Sequence, residues 1–280
     1  MTELAMPERL NRLVALSSGD PALDTLIRLT CGRALSLPPL PVPVEVGAEY
    51  TEAQSVVAAF AEQFAVDVSG IGDTQRARFV AVTGEAAFRV VVAIFIADFV
   101  PRVWAGCQAL GLGRPGWVTE VQWNVDADPV ETVLGGFVPA VARLRELDAV
   151  TTEVVRLRGA EAHNCRLCKS LREGHALDAG GSEQLYRQIA DFESSGDLSE
   201  AHQAALRYVD ALVWTPARIP TDVAAGVGAH FSETQALELT LDVMRNAANK
   251  IAVPLAADAP RVAEGTERYE VDEAGQTIFA

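Results

Sequence analysis

The sequence predicts an all-α protein made of two related helical units, and three observations carry that prediction. Apolar residues recur at spacings of three and four in segment after segment, the period of an amphipathic helix. Two of those segments open with a hydroxyl residue followed three positions later by Gln, the pattern of a capping box. A long alternation of apolar and polar residues, the mark of a half-buried strand, is missing.

Along the chain, the run Leu37-Pro38-Pro39-Leu40-Pro41-Val42-Pro43 cannot be a helix interior, because proline lacks the backbone donor that a helix uses. Thr51 with Gln54 opens a helix that carries Val56, Val57, Phe60 and Phe64 on its apolar side. The stretch from Glu85 to Leu110 is so apolar that a buried helix is expected. Gly111 to Gly116, with Pro115 inside it, reads as a boundary. Ser199 opens a helix through Ala205, Tyr208, Val209, Leu212 and Val213. Ser232 with Gln235 opens another, whose stripe is Leu237, Leu241, Met244, Ala248 and Ile251. A short hairpin is expected in the tail, around Tyr269 to Phe279.

The second half repeats the first. A shift of 148 positions lays Thr51–Arg102 over Ser199–Lys250 without a gap, so that Thr51 meets Ser199, Phe60 meets Tyr208 and Glu85 meets Glu233. Identities are few; the aligned caps and apolar positions carry the match. Upstream, Leu26-Ile27-Arg28-Leu29 resembles Val154-Val155-Arg156-Leu157 at a shift of 128, so the first copy lacks about 20 residues. The missing piece is the one that holds Cys165 and Cys168. Residues 1–115 are therefore expected to form a degenerate unit, and residues 116–280 the unit with the chemistry.

Of the 280 residues, 49% are apolar, enough for a substantial core. Lys and Arg number 23 against 38 Asp and Glu, a formal charge of −15, which disfavours nucleic acid and anionic membrane as partners. The longest uninterrupted apolar run, Val90 to Ala97, is far short of the roughly 20 residues that span a bilayer. The N-terminal 20 residues have no signal-peptide core, and a cytoplasmic protein is expected.

Chemistry concentrates between Glu153 and His175. Asn164 is a good helix N-cap and would put Cys165 in the first turn, where free backbone N–H groups favour a thiolate. Cys168, three residues on, would share its face and could close a disulfide with it. Arg172 and then His175 continue that face if the helix runs on, and Arg166 and Lys169 add positive charge. Glu153 lies in the otherwise apolar run Val150–Leu157. A carboxylate there is either a desolvated proton acceptor or a structural ion pair with Arg156 or Arg172. The cysteine pair itself is a redox couple, an inert buried pair, or half of a zinc site completed by His163 and His175. Cys31 and Cys107 read as packing residues, and His202 and His230 as surface or packing residues.

Glu153, eleven residues, Cys165-x-x-Cys168, three residues and Arg172 resemble the signature of the alkyl hydroperoxidase D-like (AhpD-like) branch of the carboxymuconolactone decarboxylase family. The resemblance runs from about Pro129 to Pro254. It implies an AhpD-like helical bundle, a homo-oligomer without a cofactor, in which Cys165 and Cys168 form a redox disulfide that reduces hydroperoxides. An external dithiol, a lipoyl domain or a thioredoxin-like protein, would reset it, and Glu153 would join a proton relay. Two positions depart from the pattern: Arg172 stands where the relay has His, and Leu167 stands where peroxidase members carry another His. Arginine stays protonated and cannot shuttle a proton, so His163 and His175 become the candidates for that role. Two alternatives remain: acid–base chemistry on a small carboxylate or lactone with Glu153 as base and Arg172 as anion clamp, and a non-catalytic redox or zinc sensor.

Overall fold

The computed structural model describes residues 6–47, 49–113 and 121–279. The fold is predominantly α-helical. Helices α1 (Met6–Val14), α2 (Pro21–Leu35), α3 (Glu52–Asp67), α4 (Asp73–Thr83) and α5 (Ala87–Ala109) make up the first half. The second begins with a wide helical stretch, Glu131–Phe137, that runs into α6 (Val138–Ala142). There follow α7 (Ala149–Ala162), α8 (Arg166–Lys169), α9 (Gly174–Asp178), α10 (Glu183–Arg187), α11 (Glu200–Trp214), α12 (Thr221–His230) and α13 (Glu233–Ala247). A small sheet closes the structure. Strand β1 (Leu171–Glu173) pairs in parallel with β2 (Glu267–Val271), and β2 pairs antiparallel with β3 (Thr277–Phe279). The tail hairpin thus docks on the chain just beyond the cysteines.

Local chemistry explains the helix starts. Both capping boxes form, Thr51 with Gln54 and Ser232 with Gln235, and the Ser199 hydroxyl accepts from the His202 backbone N–H. The proline run after α2 stays irregular, as proline demands. Helix α5 is a core helix, with Phe95 and Phe99 fully buried, and it begins at Ala87 after one tight turn. The stretch Asp73–Ala109 that contains it is, by length and composition alone, long and apolar enough to cross a membrane.

At the shift of 148, α3, α4 and α5 overlie α11, α12 and α13. The N-caps Thr51 and Ser199 coincide, as do Gly72 and Pro220. At the shift of 128, α2 overlies α7, and the carboxylates of Asp20 and Asp148 cap the two helices. One hydrophobic core runs through both halves, from Leu10 to Ile251, with Phe60, Phe64, Phe95, Tyr208 and Met244 in it. At its centre Arg102 and Lys250, which are counterparts at the shift of 148, both bind Asp98. Of the segment expected to divide the two units, Gly111 to Gly116, residues 114–116 lie outside the described residues.

Candidate functional site

Helix α7 ends at Ala162, and the chain reverses through Asn164, which takes a left-handed φ of 50°. Asn tolerates that conformation better than most residues do. The reversal moves the expected cap by one place. Asn164 is not the N-cap of the next helix; Cys165 is, and its Sγ accepts the backbone N–H of Cys168 at 3.2 Å. Helix α8 is a single turn. Within it Cys165 and Cys168 are joined by a disulfide, with Cα atoms 5.3 Å apart. Both are buried, packed with Ala160 beside Leu167 and Val253.

Two charged groups clamp this turn. Asp258, on the chain after α13, accepts the Arg166 backbone N–H at 2.9 Å and the Arg166 guanidinium at 2.8 Å, and its own carbonyl accepts from Leu167. Burial works against the Asp258 charge, but these bonds hold its carboxyl below the usual range. From the other side, Arg156 of α7 donates to the carbonyls of Cys168 and Leu171, each at 2.8 Å. The same guanidinium grips Glu153 through two bonds of 2.5 and 2.7 Å. Burial opposes the Arg156 charge, yet Glu153 keeps the guanidinium above its ordinary pKa. The remaining Glu153 bond comes from the backbone N–H of Glu173. Of the two roles open to Glu153, the geometry matches the structural ion pair: its carboxylate holds the arginine that holds the cysteine turn.

The helix does not run on beyond Lys169, so the shared face expected for Arg172 and His175 does not exist. Leu171–Glu173 is extended because it pairs with β2. Arg172 instead donates to Glu183 and to the carbonyls of Lys169 and Leu171, and its guanidinium lies over the Tyr186 ring. His175 is exposed and bonded to Glu173. His163 is buried edge-on to Phe99. Burial first, and then Lys250 and Arg102, drive its pKa well below the ordinary histidine value, so it is neutral. Nor is the basic spot bare, because Arg166 pairs with Asp258 and Arg172 with Glu183. His163, Cys165, Cys168 and His175 do not converge as a zinc site would require. Among the described residues no group of His, Cys, Asp and Glu side chains is placed to hold a metal.

Cys168, but not Cys165, is among the residues that line a surface cleft. Helix α13 and the turn after it contribute Arg245, Asn246 and Asn249 to its lining, and the tail hairpin contributes Tyr269 and Thr277. Gly275 packs that hairpin so closely on Pro139 that a Cβ would come within 2.1 Å of the Pro139 carbonyl oxygen. Burial pushes Tyr269 up to about 12, so its phenol is protonated. Sequence reasoning passed over these residues and Asp258. The α13 set did leave a signal: Asp242, Arg245, Asn246 and Asn249 recur at helical spacing beside the apolar stripe. Asp258 left none, because it reaches the site from a distant loop.

The chain is 56% identical over 279 residues, 99% of its length and 98% of theirs, to two Mycobacterium tuberculosis proteins. They are the uncharacterized protein MT2376 of strain CDC 1551 / Oshkosh and the uncharacterized protein Rv2313c of strain ATCC 25618 / H37Rv. The chain belongs to their family. No protein-family model and no solved structure matches it. The other two cysteines, Cys31 and Cys107, are free and buried; burial raises both thiols, that of Cys107 to about 11.

Proposed function

We propose that the protein is a cytoplasmic thiol oxidoreductase of the AhpD-like type, which reduces hydroperoxides through Cys165 and Cys168. The observation that supports this reading is a disulfide closed within one helical turn, with Cys168 among the residues that line a cleft. In the reduced protein the Cys168 thiolate attacks the terminal oxygen of a hydroperoxide. The O–O bond breaks, the alkoxide leaves and takes a proton from water, and Cys168 becomes a sulfenic acid. The Cys165 sulfur then attacks Cys168, forming the disulfide and releasing water. An external dithiol attacks Cys168 from the cleft and expels Cys165 as a thiolate, which the Cys168 N–H stabilises. A second exchange releases the oxidised reductant and restores both thiols.

Arg172 is spent on Glu183 and Glu153 on Arg156, so this scheme assigns neither a proton-shuttling role. The role of Arg156 is to fix the carbonyl of Cys168, and with it the direction in which that sulfur faces. Dithiothreitol-coupled turnover of hydrogen peroxide tests the proposal. Cys165→Ser and Cys168→Ser should each abolish it, while Cys31→Ser leaves it intact. Wild-type turnover in either of the first two variants would overturn the reading.

A further inference from the structure

Two residues that line the Cys168 cleft carry buried hydrogen-bond donors that are not satisfied. Asn246 is 8% exposed, and its Nδ2 has no hydrogen-bond partner among the described residues. Arg245 Nε lies 3.1 Å from Asp242 Oδ1 as an ion pair, but it is not aligned for a hydrogen bond to it or to anything else described. Buried donors left open in this way are costly, and two of them side by side at one cleft call for a shared acceptor. The charged residues lining this cleft, Arg156 and Arg245, are both cationic, and Asn249 adds another amide.

The first unit shows what the same positions look like when they serve packing alone. The counterparts of Asp242, Arg245 and Asn249 at the shift of 148 are Ile94, Ala97 and Pro101, all buried apolar groups of α5. The counterpart of Asn246 is Asp98, whose oxygens are fully used by Arg102 and Lys250. In the unit with the disulfide, two of these positions, Arg245 and Asn246, carry open donors instead, with the Asp242 carboxylate paired to Arg245. From this we infer that the cleft binds the carboxylate of the molecule that reacts at Cys168, with Asn246 Nδ2 and Arg245 Nε donating to its oxygens. The substrate class is thus a small carboxylate-bearing hydroperoxide. Both donors are sealed from bulk water, so entry requires the tail hairpin to shift. The inference rests on Cys168 being the reactive sulfur of the proposed function.

Paired alkylation tests it without relying on turnover. The full-length protein is reduced, and the labelling of Cys168 by iodoacetate and by iodoacetamide is followed by peptide mass spectrometry. The two reagents differ in one carboxylate, so the ratio of their rates reports recognition of that group, and the thiolate fraction cancels. The expected result is faster labelling by iodoacetate than by iodoacetamide. In Asn246→Leu, which alters no charge, the ratio should fall roughly tenfold, the size of one lost hydrogen bond to a charged group. Asn246→Asp, which keeps the shape, should lower it further. An unchanged ratio in both variants, or no labelling of Cys168 by either reagent, would overturn the inference. If the ratio falls as expected while hydrogen peroxide is not turned over, the carboxylate site stands and the peroxidase reading fails.

Discussion

The two halves place the same kind of arginine at the same point and use it differently. In the first unit Arg28 of α2 donates to the carbonyls of Val14, Leu16 and Pro41, tying three stretches of backbone together. Among the described residues no carboxylate bonds to it, and burial, only partly offset by Asp24, pulls its pKa down to about 10. In the second unit Arg156 holds two carbonyls as well, but its remaining donors go to Glu153, where the first unit has Thr25. The carboxylate keeps the guanidinium charged and aimed at the carbonyl of Cys168. In the first unit the loop after the arginine is a proline run; in the second it is the disulfide turn. A common helical frame thus holds a disulfide turn where a paired charge orients the inserted segment, and a proline run where it does not.

Replacing the two arginines should separate these roles. Arg156→Met leaves Glu153 as a buried, uncompensated charge and should cost about 3–5 kcal/mol in urea unfolding. Arg28→Met leaves carbonyls unsatisfied, while the buried Asp24 carboxylate keeps its bonds from Ser17 and Ser18, so it should cost less, about 2–3 kcal/mol. Equal losses would show that the Glu153 carboxylate adds nothing to the second unit.

A smaller effect separates the units by pH. His163 in the second unit stands where the first has Leu35. Burial, then Lys250 and Arg102, hold its folded-state pKa well below the 6.5 of an unfolded chain. The unfolded state therefore binds the extra proton. This contribution to stability is complete above pH 6.5 and is lost as the pH falls toward the folded value. The slope should reach about 1 kcal/mol per pH unit between pH 6 and 5. His163→Leu, which restores the residue of the first unit, should remove most of it. His202, which burial also lowers, supplies part of what is left, while Glu161, Glu238 and Asp242, which burial raises, act with the opposite sign.

The sequence made some features legible and hid others, for physical reasons. Caps are local, so Thr51, Ser199 and Ser232 could be read directly, and the period of α13 followed from its apolar stripe. The cysteine pair and its Glu153 stood out by spacing. The helix that was to carry Arg172 and His175 failed for a non-local reason, because β2 claims Leu171–Glu173 from almost a hundred residues away. Asp258 was hidden for the same reason, since its partners Arg166 and Leu167 lie far upstream. The cap moved from Asn164 to Cys165 because the chain has to reverse after α7, and Asn164 absorbs the left-handed turn.

The central claim is that oxidation is confined to the disulfide turn of the second unit. Its most direct test is to reduce the protein fully, add hydrogen peroxide in stepwise amounts and count free thiols, with mass spectrometry locating the products. The account predicts that one equivalent removes two thiols and yields a peptide cross-linked between Cys165 and Cys168, with Cys31 and Cys107 still free. Loss of the Cys31 or Cys107 thiol first, or peroxide left unconsumed while Cys165 and Cys168 remain reduced, would contradict it.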